Sequence, residues 1–227
     1  MLIIRGLLGV VFQVALFGAG LYLPAGTWDW PRAAQFLVSY TVIVSVSVFV
    51  LARFAPQGLE ARLAAPVDRT QPRGDVVASA LLFSSIAAWW VFIPFDVFRL
   101  ELLPPPSLLV SALGAVVSVG GLGIIILTIY QNAYVMPIVK DQSDRGQVLV
   151  DSGLYGRIRH PMYAGMLLWF LGLALWLEST AAALAVALMF PSIWLRIRVE
   201  EQTLAENLPG YAEYMARVRY RLFPRVW

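Results

Sequence analysis

The sequence predicts an all-α integral membrane protein: six hydrophobic helices, the last two folded as a tight hairpin, and then an amphipathic C-terminal helix. Three observations carry this. Hydrophobic residues make up 59% of the 227 residues and charged residues 14%, where a soluble domain has about a quarter charged. The apolar residues gather into runs close to the roughly 20 residues that cross a bilayer as helix. The basic residues lie between those runs and hardly within them.

Residues 2–23 form the first span. This run is too long for a signal-peptide core and lacks a clear cleavage site, so it is expected to be retained. Residues 24–31 make a turn with Trp28 and Trp30 as interfacial anchors. Residues 33–54 are the second span. Residues 55–75 form a polar loop holding Arg62, Arg69 and Arg73, with a short interfacial helix expected near 59–64. Residues 76–98 are the third span, where Pro94 predicts a kink or an early stop. Pro104, Pro105 and Pro106 end any helix, and Ser107 starts the fourth span, which runs to Tyr130. In it Gly120 and Gly123 are placed for close approach of a neighbouring helix, the commoner use of small residues in membranes.

Residues 131–159 are a long polar connection with Lys140, Asp141, Asp144, Arg145 and Asp151; connections of this length are usually functional. Residues 162–177 and 180–195 are two apolar arms broken at Glu178-Ser179. Each spans roughly 24 Å as helix, short for a crossing, which predicts the hairpin. In the tail Tyr211, Tyr214, Val218 and Leu222 recur at helical spacing, predicting an amphipathic helix on the membrane face. No repeat or second domain is visible. The chain reads as one domain, 1–227, with four spans in 1–130 and the chemistry in 131–227.

Six crossings put both termini on one side with 15 of the 17 Lys and Arg residues, leaving Arg32 and Arg99 opposite. The positive-inside rule makes the rich side cytoplasmic. The expected setting is a bacterial inner membrane with the site facing the cytoplasm. The absence of cysteine excludes disulfides, thiolate metal sites and a catalytic thiol, and a single histidine excludes a multi-histidine metal site. No metal and no nucleic acid are expected, since the basic residues sit at helix ends.

The one histidine, His160, precedes Pro161 and an apolar run. Proline suits the first turn of a helix, and the residue before it is pushed towards extended geometry. Arg157, Arg159 and His160 therefore sit at a helix mouth, where unpaired N–H groups and the helix dipole favour an anion. The His160 ring is expected to face an aqueous pocket, so that its removal costs little stability. The plainer reading is that the arginines mark a membrane border. Glu200 and Glu201 follow an apolar helix directly, and ionisable groups at membrane depth are usually functional. Their plainer reading is a solvated helix end with Arg196 and Glu200 paired at i, i+4.

Arg159-His160-Pro161-Met162-Tyr163-Ala164-Gly165 is similar to the RHPxYxG signature of the isoprenylcysteine carboxyl methyltransferase family and its phospholipid-methyltransferase relatives. Glu200-Glu201-Gln202-Thr203-Leu204 resembles the family's EExxL, and Gly210-Tyr211-Ala212-Glu213-Tyr214, with Arg221 and Pro224 beyond it, resembles its terminal G-Y-x-x-Y…R-x-x-P pattern. Leu154 departs from the family, in which many members have proline.

The resemblance implies S-adenosyl-L-methionine as cofactor, held by Tyr155, Arg159, His160, Pro161, Tyr163, Gly165, Glu200, Glu201, Leu204, Tyr211 and Tyr214, with Arg196, Arg198 and Glu201 serving the reaction. It also implies a lipophilic or lipidated acceptor entering from the bilayer, with membrane lipids as surroundings. The residues suit these parts. The helix mouth can take a carboxylate, either glutamate an amino group or ribose, and the tyrosine faces a sulfonium cation. Arg196 or Arg198 can hold an acceptor carboxylate, which needs no base at neutral pH; an amine or thiol acceptor would need His160 or a glutamate to take its proton. An isoprenylcysteine carboxylate, a phospholipid amine and a small thiol all remain open. A nicotinamide-dependent membrane reductase of similar architecture is the competing enzyme class, and the glutamate pair before Gly-Tyr-x-x-Tyr argues against it. A transporter would normally carry charges within its spans, and these are nearly absent.

Overall fold

In a computed structural model, residues 1–63, 73–136 and 146–227 are described. All regular structure among them is helical. Helix α1 (Leu2–Ala25) ends at Gly26, whose φ of 71° suits glycine, and α2 (Pro31–Phe54) begins on Pro31. A short helix, α3 (Pro56–Arg62), follows directly, close to the interfacial helix expected there. Helix α4 (Arg73–Phe95) runs into a π-helical turn, Asp96–Leu100. Pro94 therefore does not stop the span; the ladder it weakens widens over the last turn instead. Helix α5 (Leu108–Gln131) is capped by Ser107, whose Oγ accepts from the Val110 N–H.

Helix α6 (Pro161–Trp176) starts on the proline that the sequence marks. The hairpin turn at Glu178 has a φ of 70°. Ser179 Oγ accepts from the Ala182 N–H at 3.0 Å and donates to Asp96 Oδ2 at 2.6 Å, fixing the turn to the end of α4. The second arm is not one uniform helix. It comprises α7 (Thr180–Ala185), a 3-10 turn (Val186–Met189) and α8 (Phe190–Asn207), because Pro191 in the first turn of α8 cannot donate to the preceding turn. Five stretches are long and apolar enough to cross a membrane: Leu2–Ala25, Pro31–Phe54, Gly74–Leu100, Leu108–Gln131 and Thr180–Asn207. Helix α6 is a shorter apolar helix beside them. The six hydrophobic segments thus stand as the sequence predicts.

Helices α5 and α6 make the most extensive helix pair. Their seam is lined by Gly114 and Gly121 on one side and Gly165 and Gly172 on the other. A Cβ on Gly121 would lie 2.4 Å from the Trp169 nitrogen, and one on Gly172 would lie 2.3 Å from the Ser118 nitrogen. Gly120 and Gly123, the pair expected to pack, face open space. The core is aromatic, with Trp30, Phe36, Tyr40, Trp89, Trp90, Phe170 and Trp176 in one cluster, while Phe12, Leu16, Val38 and Val116 point outward as lipid-facing residues do.

The tail differs from expectation. Helix α9 (Tyr211–Arg217) is a single short helix, and Val218 turns extended. Tyr211, Tyr214 and Val218 do share a buried cluster with Leu208, but Leu222 enters the main core. The segment beyond α9 folds back so that its Tyr220 and Arg221 carbonyls accept from the Arg159 and His160 N–H groups, each at 2.9 Å. Those bonds hold the tail extended where spacing alone suggests helix. Lys140, Asp141, Asp144 and Arg145 of the polar connection, Arg69 and the end of the expected 59–64 helix lie outside the described residues.

Candidate functional site

At the end of the bundle where α6 begins and α8 finishes, two buried networks meet. In the first, Glu201 of α8 accepts from Arg159 Nε at 2.7 Å and from Arg221 Nε and Nη2 at 3.0 Å, while His160 Nε2 lies 3.1 Å from the same carboxylate. Arg159 Nη1 also donates to the Val218 and Arg219 carbonyls at 2.7 and 3.1 Å. Arg159, His160 and Glu201 are all buried. Removing such a carboxylate from water costs several kcal/mol, and these donors offset it.

The second network ties α4 to α6 and α8. Arg196 pairs with Asp75, which is completely buried, and its Nη1 donates to Ser79 Oγ at 2.9 Å. Its Nε donates to Tyr163 Oη at 3.1 Å, and that hydroxyl in turn donates to Glu200 Oε2 at 2.8 Å. Arg196 and Glu200, four residues apart, are thus bridged through a tyrosine.

A cavity of about 840 Å³ including its open mouth lies against both networks. Of the residues nominated by sequence, Tyr155, Arg159, His160, Pro161, Tyr163, Arg196, Glu200, Leu204, Tyr211 and Tyr214 line it. The two glutamates differ: Glu200 keeps 27% of its side chain exposed and faces the cavity, whereas Glu201 sits behind, enclosed by Arg159, His160 and Arg221. Two nominated residues lie elsewhere. Gly165 packs against the Gly121 carbonyl in the α5–α6 seam, and Arg198 is exposed, lying over the Trp194 ring at 5.2 Å. His160 does line the cavity, but it is only 4% exposed and tied to Glu201, so it is more structural than a ring facing water.

Sequence reasoning misses the apolar walls, Met136, Leu208 and residues 147–150, and the α4 partners Asp75 and Ser79. Asp75 carries a readable signal, an acid at the start of an apolar span; the walls carry none. Burial, with the nearby Glu200 adding to it, raises the Tyr155 and Tyr211 phenols above their ordinary value. Burial also raises Tyr214, whose hydroxyl donates to the Tyr155 carbonyl at 2.8 Å. All three rings stay neutral around the cavity.

The first turn of α6 bears on what the cavity can hold. Its first intrahelical bond there is Ala164 N–H to the His160 carbonyl, at 3.2 Å. The Met162 and Tyr163 N–H groups therefore precede the helical ladder, beside the cavity that both residues line. An anionic group fits such a mouth. Glu200 offers an acceptor for a cation or hydroxyl, and Leu204, Leu208 and Met136 offer apolar walls for a flat ring.

Comparison with known proteins centres on the same region. Residues 109–209 match the phospholipid methyltransferase family. The cobalt-zinc-cadmium resistance protein CzcN of Cupriavidus metallidurans is 44% identical over 86 residues, covering 36% of this chain and 38% of that protein. The nickel-cobalt-cadmium resistance protein NccN of Alcaligenes xylosoxydans xylosoxydans is 34% identical over 116 residues, covering 49% and 51%. The protein-S-isoprenylcysteine O-methyltransferase of Schizosaccharomyces pombe is 28% identical over 123 residues, covering 50% and 52%. The chain spans about half or less of the length of these relatives. Both motif blocks fall inside the matched segment, on the two helix ends that enclose the cavity, and over that segment the chain is similar to the phospholipid and isoprenylcysteine methyltransferases.

Proposed function

We propose that the protein is an S-adenosyl-L-methionine-dependent methyltransferase acting on a lipophilic acceptor, with carboxyl O-methylation of an isoprenylcysteine-like substrate as the reaction its site supports best. The observation that carries this is the cavity itself, set where the α6 mouth and the α8 end converge. The first-turn N–H groups of α6 would hold the cofactor's carboxylate, Glu200 its amino group or ribose, and Leu204, Leu208 and the Tyr155 and Tyr211 rings its apolar and cationic parts. Bound there, S-adenosyl-L-methionine supplies an electrophilic methyl group on a cationic sulfur.

An acceptor carboxylate is ionised at neutral pH and needs no base. The chain's contribution is then to align the acceptor and exclude water. For an amine or thiol acceptor Glu200 is the carboxylate among the described cavity residues that can take the proton. Arg159 and Arg196 are spent on Glu201 and Asp75; they hold the walls in place and do not reach out to ligands.

The test is calorimetry with S-adenosylhomocysteine on purified protein, expected to show micromolar or tighter binding, with no binding of reduced nicotinamide cofactors. The reverse preference would favour a reductase. Methyl-labelled cofactor supplied to membranes then identifies the acceptor. A second reading, favoured by the names of the two bacterial relatives, is that the methylated product serves tolerance of divalent metals. A deletion strain growing as well as its parent in cobalt, zinc and cadmium would count against it.

A further inference from the structure

Arg196 and Glu200 stand four residues apart on α8, a spacing at which an arginine and a glutamate ordinarily pair along one helix face. Here the contact runs through a third side chain instead. The guanidinium is drawn towards α4, where it pairs with the completely buried Asp75 and donates from Nη1 to Ser79 Oγ at 2.9 Å. Its Nε donates to Tyr163 Oη at 3.1 Å. A guanidinium can only donate, so the tyrosine keeps its own proton for Glu200 Oε2, at 2.8 Å. Donation thus runs outward from Arg196 in both directions and ends on a carboxylate at each side.

The two carboxylates differ in what they face. Asp75 is sealed, and it is not among the residues that line the cavity. Glu200 is partly open and lines it. Tyr163 engages Oε2 of Glu200, while Oε1 lies 3.8 Å from His160 Nδ1, too far for a hydrogen bond. A carboxylate held by one oxygen at the edge of a cavity suits the ammonium group of an amino-acid ligand. Asp75 preserves that arrangement. A buried guanidinium needs a counter-ion. Without the Asp75 charge, the carboxylate one turn along its own helix is Glu200, and pairing with it would take that charge away from the cavity.

We propose that Asp75 is a positioning residue for the ligand: by holding Arg196 against α4, it leaves Glu200 to take the ammonium group at the amino-acid end of the cofactor. This rests on the methyltransferase reading. It also gives α4 a part in the site, although Asp75 and Ser79 lie outside the matched segment, 109–209.

The probes are S-adenosylhomocysteine and its desamino analogue, in which hydrogen replaces the α-amino group. Binding of each is measured by calorimetry on purified full-length protein, and folding by tryptophan melting. The parent should bind the amino compound about 10- to 100-fold more tightly, the worth of a charge-assisted bond. Asp75→Asn should bring that ratio close to one by weakening the amino compound alone. The double variant Asp75→Asn/Arg196→Met removes the competing cation and should recover at least about 10-fold of the preference. A purely structural role for Asp75 would leave the double variant no better than the single one, and that result overturns the proposal. So does an Asp75→Asn variant that keeps the parent's ratio or weakens both compounds alike. If Asp75→Asn shows no melting transition, Tyr163→Phe decides, because it keeps the Asp75–Arg196 pair and removes the hydroxyl that holds Glu200. A fall of about 10-fold in its ratio sustains the proposal, and an unchanged ratio overturns it. A parent that binds both compounds equally sinks the proposal and leaves the methyltransferase reading standing; a parent that binds neither sinks both.

Discussion

Replacing Glu201 with alanine should unfold the site before it affects any ligand. Glu201 carries 8% of its side-chain surface exposed and neutralises Arg159, which is itself 6% exposed, together with the more open Arg221. Without the carboxylate, Arg159 keeps its carbonyl partners at residues 218 and 219 but becomes a buried charge lacking a counter-ion. Breaking a buried pair in this way costs about 3–5 kcal/mol. For a chain of this length each kcal/mol moves the melting temperature by about 2–4 °C, so the expected fall is about 6–20 °C. Glu201→Gln keeps the volume and one acceptor and should cost less, about 1.5–3 kcal/mol. The assay is thermal melting in detergent followed by tryptophan fluorescence, for which the chain has eight reporters. A Glu201→Ala variant melting within about 2 °C of the parent would show that the network does not hold this end of the bundle together.

Gly121→Leu should prevent α5 and α6 from closing and abolish a monodisperse species in gel filtration, whereas Gly123→Ala, facing open space, should behave as the parent. Arg196→Met should cost several-fold more methyl transfer than Arg198→Met in a labelled-cofactor assay; equal effects would refute the assignment of the two arginines to opposite faces. A cysteine at Arg225, in a chain that has none, should react with an impermeant thiol reagent only after the cells are opened. Tyr155, Tyr211 and Tyr214 hold their protons above the ordinary phenol pKa. Their contribution to stability is therefore complete below pH about 10, where the unfolded chain begins to ionise, and is lost as pH rises beyond it. Tyr211→Phe should flatten that alkaline decline in melting temperature, and an unchanged slope would count against it.

What the sequence reveals here follows local rules. Pro161 fixes the start of α6 because proline's preference for a first turn needs no tertiary information. Six apolar segments are legible for the same reason. The α5 seam is harder. Gly114 and Gly121 share one face, Gly120 and Gly123 another, and a helix apolar all round does not reveal which face meets α6. Arg196 and Arg198 are two positions apart and so point different ways; packing against α4 selects Arg196, and its partner Asp75 belongs to a distant part of the chain. The tail misleads because its stripe is real, but the backbone groups at 159 and 160 hold it extended. The resemblance nominates residues that line the cavity while remaining silent on which glutamate is open and which is sealed.

The pairing of residues 159–160 with 220–221 sets an order of assembly. Every apolar segment precedes residue 220 in the chain, so the mouth of α6 lacks its backbone partners until the last residues have emerged. Arg221 reaches Glu201 at the same late moment. The chamber is therefore completed from its far end, after insertion, by a segment that never needs to enter the bilayer. A chain truncated before residue 220 would keep every apolar segment and still have an unfinished wall.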